Sequence, residues 1–166
     1  MSTQYGFTFA KDRCIQCYGC EVACKTWRGG EFGVRWRRVH NLWQGRYPEV
    51  KNLSVSVSCM HCANPECVKV CPVQAIRKRL EDGIVTVDRA KCIGCKSCLK
   101  ACAFGAPQFG TNGKMQKCDM CLNEADLSKG APPCVETCPT KALQLGRMED
   151  TEKLGTEQTI QRLLAT

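Results

Sequence analysis

The sequence predicts an α+β fold of two pseudo-symmetric halves, each made of small hairpins and short helices. Three observations predict it. Sixteen of the 166 residues are cysteine, falling in four groups of four with none left over. The groups repeat in pairs along the chain. Leu, Ile, Val and Phe together number only 33, near the level at which a chain no longer closes an apolar core. Something bound to the cysteines must therefore supply the interior. The length suits one domain or two very small ones.

Group one is Cys14, Cys17, Cys20 and Cys24; group three is Cys92, Cys95, Cys98 and Cys102. Both have the C-x2-C-x2-C-x3-C spacing of bacterial ferredoxins. Group two, Cys59, Cys62, Cys67 and Cys71, and group four, Cys118, Cys121, Cys134 and Cys138, keep the outer spacings and lengthen the middle gap. Three closely spaced thiolates wrap three corners of one iron–sulfur cube, and the fourth cysteine points to another. Sixteen thiolates thus make four 4Fe-4S clusters. Structural zinc prefers two C-x2-C pairs separated by a longer loop. Disulfides between neighbours two residues apart would be strained.

The repeat indicates which groups pair. CIQCYGCEVAC (14–24) matches CIGCKSCLKAC (92–102), and CVKVCPVQAI matches CVETCPTKAL, so the chain carries an internal duplication. Groups two and three flank Ala75-Ile76, an Asp82-Gly83 turn and Ile84–Asp88. These read as a β-hairpin with Arg77, Lys78 and Arg79 at its exposed end. Groups one and four then pair across the chain. Tyr5–Phe9 and Leu143–Leu145 both alternate at period two and are expected to pair as strands. The expected organisation is an outer ferredoxin-like half (1–24 with 103–147), an inner half (59–102), an insert with strands (25–58) and a tail (148–166). The expected ligand sets are Cys14, Cys17, Cys20 with Cys138; Cys118, Cys121, Cys134 with Cys24; Cys59, Cys62, Cys67 with Cys102; and Cys92, Cys95, Cys98 with Cys71.

The four motifs, KCDMC at 117–121 and the opening QYGFTFAKDRC at 4–14 resemble the four-cluster iron–sulfur subunit of dimethyl sulfoxide reductase and its relatives. The resemblance covers residues 4–147. It implies an electron-transfer subunit serving a molybdenum or tungsten bis-pterin catalytic subunit, with no catalytic residues of its own. Two positions bear on the match. Ala103 stands where the family often has proline, which frees one more N–H near a cluster sulfur. Cys92 is intact, so a full cube is expected where some relatives carry a three-iron cluster. The short stretch after group four resembles the compact polyferredoxin subunit of bacterial tungsten aldehyde oxidoreductases, which implies a flavoprotein or other redox partner. The alternatives are a membrane-linked dimethyl sulfoxide reductase-type enzyme and a free polyferredoxin.

Charge bears on the partners. The formal charge is +8, and four oxidised cubes of about −2 each cancel it, so basic residues read as counter-charge and nucleic-acid binding is not expected. No run of 18 apolar residues occurs of the kind that spans a bilayer. Met1–Arg13 lacks a basic start followed by an apolar stretch, the mark of a secretory signal. A cytoplasmic place is therefore expected, or a periplasmic one by co-export with a catalytic subunit. The insert holds Trp27, Trp36 and Trp43 among arginines, the residue types enriched at interface hot spots. Val34–Val39 and Leu53–Ser58 read as strands, and the insert is expected to dock the catalytic subunit or a second copy, with Trp36 and Arg37 the positions at which substitution would test it. His40 and His61 are candidate tuning residues, His61 by coupling potential to pH. Segment 103–117 reads as a Gly-rich loop, residues 122–133 as an insertion with a helical turn, and 156–166 as a short helix.

Overall fold

The computed structural model describes residues 4–122 and 131–148. Their order is β1 (Tyr5–Phe9), a 3-10 turn (Lys11–Arg13), α1 (Gly19–Trp27), β2 (Arg38–Arg46), β3 (Glu49–Val57), α2 (Glu66–Lys69), β4 (Ile76–Lys78), β5 (Val85–Val87), α3 (Ser97–Lys100), β6 (Gln108–Phe109), β7 (Met115–Gln116), α4 (Pro133–Glu136) and β8 (Leu143–Arg147). The strands form four antiparallel two-stranded sheets, β1–β8, β2–β3, β4–β5 and β6–β7. This is a small mixed fold of strand and helix.

Local chemistry sets the helix lengths. α2 follows Pro65 and stops short of Cys71-Pro72; α4 begins at Pro133 and stops short of Cys138-Pro139. Proline is tolerated in a first helical turn but disfavours helix in the residue before it. Helix α1 instead runs through Cys24 for nine residues until Gly29 and Gly30 end it.

The two chain ends meet as expected, with Tyr5 opposite Arg147 and Phe9 opposite Leu143. The inner hairpin also forms, Ile76 opposite Val87 and Lys78 opposite Val85, closed by Arg79 N–H to Ile84 C=O at 2.9 Å. Lys78 is not at a free end. Its Nζ donates to Gln4 Oε1 and to the Cys62 and Ala63 carbonyls, tying the hairpin to group two. Helix α1 packs on α4, and α2 on α3.

Two expectations in the chain's irregular stretches are corrected. No strand begins at Val34: Gly33 takes φ +79° and Val34 N–H closes a turn onto Glu31 C=O, so β2 starts at Arg38. Segment 103–117 is not all loop, because β6 and β7 pair within it. The expected helical turn in 122–133 falls largely, and the 156–166 helix wholly, outside the described residues.

The interior is short of ordinary apolar side chains. One core joins Phe7, Ile84, Met120, Val135 and Leu143 to Cys59, Cys118 and Cys134. A second joins Ile76, Val85 and Met115 to Cys92 and Cys98. The cysteines lie in the core itself, where a bound group would complete the packing.

Candidate iron–sulfur sites

The turns that carry the cysteines share one backbone device. Gln16, His61, Gly94 and Met120, each just before the second cysteine of its group, have φ of 59°, 47°, 73° and 58°. Tyr18 and Lys96, just after the second cysteine of groups one and three, are left-handed as well. Left-handed backbone costs a non-glycine residue roughly 1–2 kcal/mol, and its recurrence at one motif position marks a functional constraint. Reversing the hand curls the turn so that thiols and amide N–H groups face one centre.

Each of two cavities gathers three thiols of one group with the last of another. One is lined by Cys92, Cys95, Cys98 and Cys71, with Ile76 and Met115. The other is lined by Cys14, Cys17, Cys20 and Cys138, with Phe9 and Leu143. Cys24 lies in the field of Cys134 and Cys121, and Cys118 in that of Cys24 and Cys134. Cys67 lies in the field of Cys59, Cys102 and Cys62.

Amide donors are aimed at the sulfurs. Ala75 N–H donates to Cys71 Sγ at 3.3 Å, Ala106 N–H to Cys102 Sγ at 3.4 Å and Met115 N–H to Cys92 Sγ at 3.3 Å. A recurrent hook produces the first two. Gln74 and Gly105, three residues after their cysteine, are left-handed, as is Lys141 after Cys138, and the buried alanine that follows points back at the sulfur. The freed amide expected at Ala103 is thus less telling than that of Ala106.

The donor set fits iron–sulfur cubes. All sixteen cysteines are unbridged. Among the described residues no three His, Cys, Asp or Glu donors close on a single ion. Burial pushes the Cys24 thiol up to about 12 and the Cys67 and Cys98 thiols up to about 11. At Cys138 burial also acts upward, but hydrogen bonds from Leu143 N–H, Thr140 Oγ1 and Ala142 N–H together outweigh it and lower the thiol. Thiols as reluctant to ionise as those of Cys24, Cys67 and Cys98 need a strongly bound metal to become thiolates.

Three buried basic groups surround the sites. Lys117 Nζ donates to the Val85 and Cys118 carbonyls. His61 Nδ1 accepts the Val85 N–H at 2.9 Å. Burial, with Lys117, Lys78 and Arg37 nearby, holds the His61 pKa well below its ordinary value. Arg37 is 2% exposed. It is therefore not a surface docking residue, while its half-buried neighbour Trp36 donates its Nε1–H to Gln116 Oε1 at 3.1 Å and its ring contacts the Arg28 and Arg89 guanidinium groups. The sequence shows that Arg37 is cationic; its inward placement depends on Phe7 and Ser56, far away along the chain. At the surface, Cys17 and Cys95 are the exposed cysteines, each near an exposed isoleucine in sequence, Ile15 and Ile93.

Residues 50–148 match the family model of the 4Fe-4S dicluster domain, and residues 11–27 match that of the 4Fe-4S binding domain. Sixteen cysteines in these domains carry four 4Fe-4S clusters, and the protein is a ferredoxin-type iron–sulfur protein. It is 42% identical to the B subunit of anaerobic dimethyl sulfoxide reductase of Escherichia coli (strain K12), over 92% of this chain and 78% of that protein. It is 39% identical to the formate dehydrogenase iron-sulfur subunit of Wolinella succinogenes, over 90% and 84%. It is 38% identical to a thiosulfate reductase electron transfer subunit of Salmonella typhi, over 92% and 80%. The chain belongs to the family of four-cluster iron–sulfur subunits of molybdenum and tungsten oxidoreductases.

Proposed function

We propose that this chain is a non-catalytic relay, taking electrons one at a time between a molybdenum or tungsten pterin subunit and a second redox partner. The single observation that carries the reading is the set of sixteen unbridged cysteines, eight of which line two cavities in fours. A cube with four thiolate ligands has no open iron for substrate. Its potential is set by charge, burial and hydrogen bonds to sulfur, and this chain supplies all three.

The proposed ligand sets are those expected from the repeat: Cys14, Cys17, Cys20, Cys138; Cys24, Cys118, Cys121, Cys134; Cys59, Cys62, Cys67, Cys102; and Cys71, Cys92, Cys95, Cys98. The shared lining of the two cavities supports the first and last. We further propose the outer and inner halves as pseudo-symmetric ferredoxin-like units. The packing of α1 on α4 and α2 on α3, each beside its own two-stranded sheet, supports that division. The sets containing the exposed Cys17 and Cys95 form the two ends of the relay, because electrons enter and leave where a cluster is nearest the surface. The insert docks a partner through the exposed Trp43 and Tyr47 at the far end of the β2–β3 hairpin.

The finer reading is a tungsten aldehyde oxidoreductase complex with a flavoprotein acceptor and contacts between copies of this subunit. The second reading, favoured by 42% identity to the dimethyl sulfoxide reductase subunit, is a molybdenum reductase fed by a quinol. Elemental analysis of the natively purified complex separates them. Tungsten directs assays to aldehydes and molybdenum to S-oxides. Fewer than about 16 irons per copy of this chain, after the partners' own are subtracted, contradicts the relay itself. Serine substitution tests the sets: Cys71→Ser and Cys95→Ser should alter the same electron paramagnetic resonance (EPR) signal, and Cys138→Ser a different one.

A further inference from the structure

Arg37 holds a charge that the fold leaves unmatched. Its side chain is 2% exposed, and no acidic group pairs with it among the described residues. Nη1 donates to Ser56 Oγ at 3.1 Å, and the guanidinium lies over the Phe7 ring at 4.3 Å. Nε and Nη2 are buried with no hydrogen-bond partner among the described residues. A buried cation with two idle donors is strongly destabilising unless an anion faces it. Lys117 differs, since carbonyls receive its Nζ.

We propose that Arg37 is the internal counter-charge of the outer cluster pair and raises the reduction potential chiefly of the cluster on Cys24, Cys118, Cys121 and Cys134, because Phe7, the ring it lies over, shares one core with Cys118 and Cys134, and Cys24 packs against that core. The inference rests on the ligand sets proposed above. Arginine keeps its charge even when buried, and the groups whose field bears on it are Cys134, Cys118, Cys20 and Cys24. Three of those four belong to the one cluster. The fourth, Cys20, is reached through Ser56, whose Oγ accepts from Arg37 and stands 3.4 Å from Cys20 Sγ. Reduction by one electron takes a cube from about −2 to about −3. A fixed cation favours the more negative state, so losing it lowers the potential.

The test is a potentiometric titration followed by EPR on the full chain in its native complex, comparing Arg37 with Arg37→Gln and Arg37→Lys. The expected result for Arg37→Gln is one midpoint lowered by the equivalent of about tenfold in the equilibrium constant, ~59 mV for a one-electron couple. A second midpoint shifts less, and the remaining two stay in place. Arg37→Lys restores most of the shift, because the charge returns without the planar fork. Four unmoved midpoints at full iron content overturn the proposal, as does an Arg37→Lys shift as large as that of Arg37→Gln. If Arg37→Gln does not assemble, protein labelled with 15N in the arginine guanidinium, in an Arg28→Lys background, decides. A 15N coupling to a reduced cluster is expected, and its absence overturns the proposal. Low iron in the unsubstituted chain instead contradicts the cluster reading, so the two failures are distinguishable.

Discussion

Gly94 shows how tightly a single position in a cysteine turn is held. Its φ is +73°, and a Cβ there would stand 2.6 Å from the Gly113 carbonyl oxygen. Gly113 is also left-handed, at +67°, but has open space around it. Gly94→Ala therefore meets both backbone strain and a backbone clash, while Gly113→Ala meets strain alone. Gly94→Ala should cost about 1–3 kcal/mol and Gly113→Ala closer to about 1 kcal/mol. Thermal bleaching of the iron–sulfur absorbance measures both, and equal midpoints for the two variants would contradict the contact. The same turn at Gln16, His61 and Met120 is made by residues with side chains, so glycine is needed only where another loop comes this close. The spacing of the cysteines makes the turns legible in the sequence. The contact between residues 94 and 113 is not legible there, because it depends on how group three meets the β6–β7 turn.

Among the elements, the β1–β8 ladder closes the chain ends into one unit. Met148 N–H donates to Gln4 C=O at 2.7 Å and Ala10 N–H to Ala142 C=O at 2.8 Å. Antiparallel pairs alternate between bonded and non-bonded, so Thr8 opposite Gln144 is a bonded pair. Thr8→Pro removes that bond and leaves the Gln144 carbonyl without its ladder partner, at a cost of about 1 kcal/mol. The expected outcome is weakening of the signals of the Cys14 and Cys24 sets, with iron falling towards about 8 per chain, while the sets flanking the β4–β5 hairpin persist. Uniform loss of all four signals would mean that the proposed halves fold as one. Both pairings are readable in the sequence, from alternating residues at the chain ends and a DG turn between short β-branched runs. The β6–β7 hairpin is hidden because two-residue strands carry no periodicity. The strand expected at Val34 fails because an apolar residue near arginines looks the same whether it pairs in a sheet or closes a turn.

Across the whole molecule, the cysteines and their clusters stand where other proteins place Leu and Ile. Removing iron should leave buried thiols, unpaired internal cations and cavities in place of a core, so chelation is expected to unfold the chain in step with bleaching. Far-ultraviolet circular dichroism measures this; a chelated chain that keeps its native spectrum would show the cores sufficient without metal. Charge should change with it. The formal +8 of the chain is offset by about −8 from four oxidised cubes, so the iron-free chain should bind a cation exchanger that the intact protein passes through. No helix among the described residues is long and apolar enough to cross a membrane.

The sequence by itself determined the cofactor, the family and the pairing of the chain ends, because metal ligation and strand alternation leave their mark in local spacing. It also determined that the chain carries enough positive charge to balance its clusters. Only the tertiary structure decided where that charge sits. Arg37 is one arginine among several in a basic insert until Phe7, from the first strand, and Ser56, from the third, close around it. The half-buried Trp36 likewise finds its partners, Gln116 and two guanidinium groups, in distant parts of the chain. Burial is a sum over contacts from distant parts of the chain, and no local pattern encodes that sum.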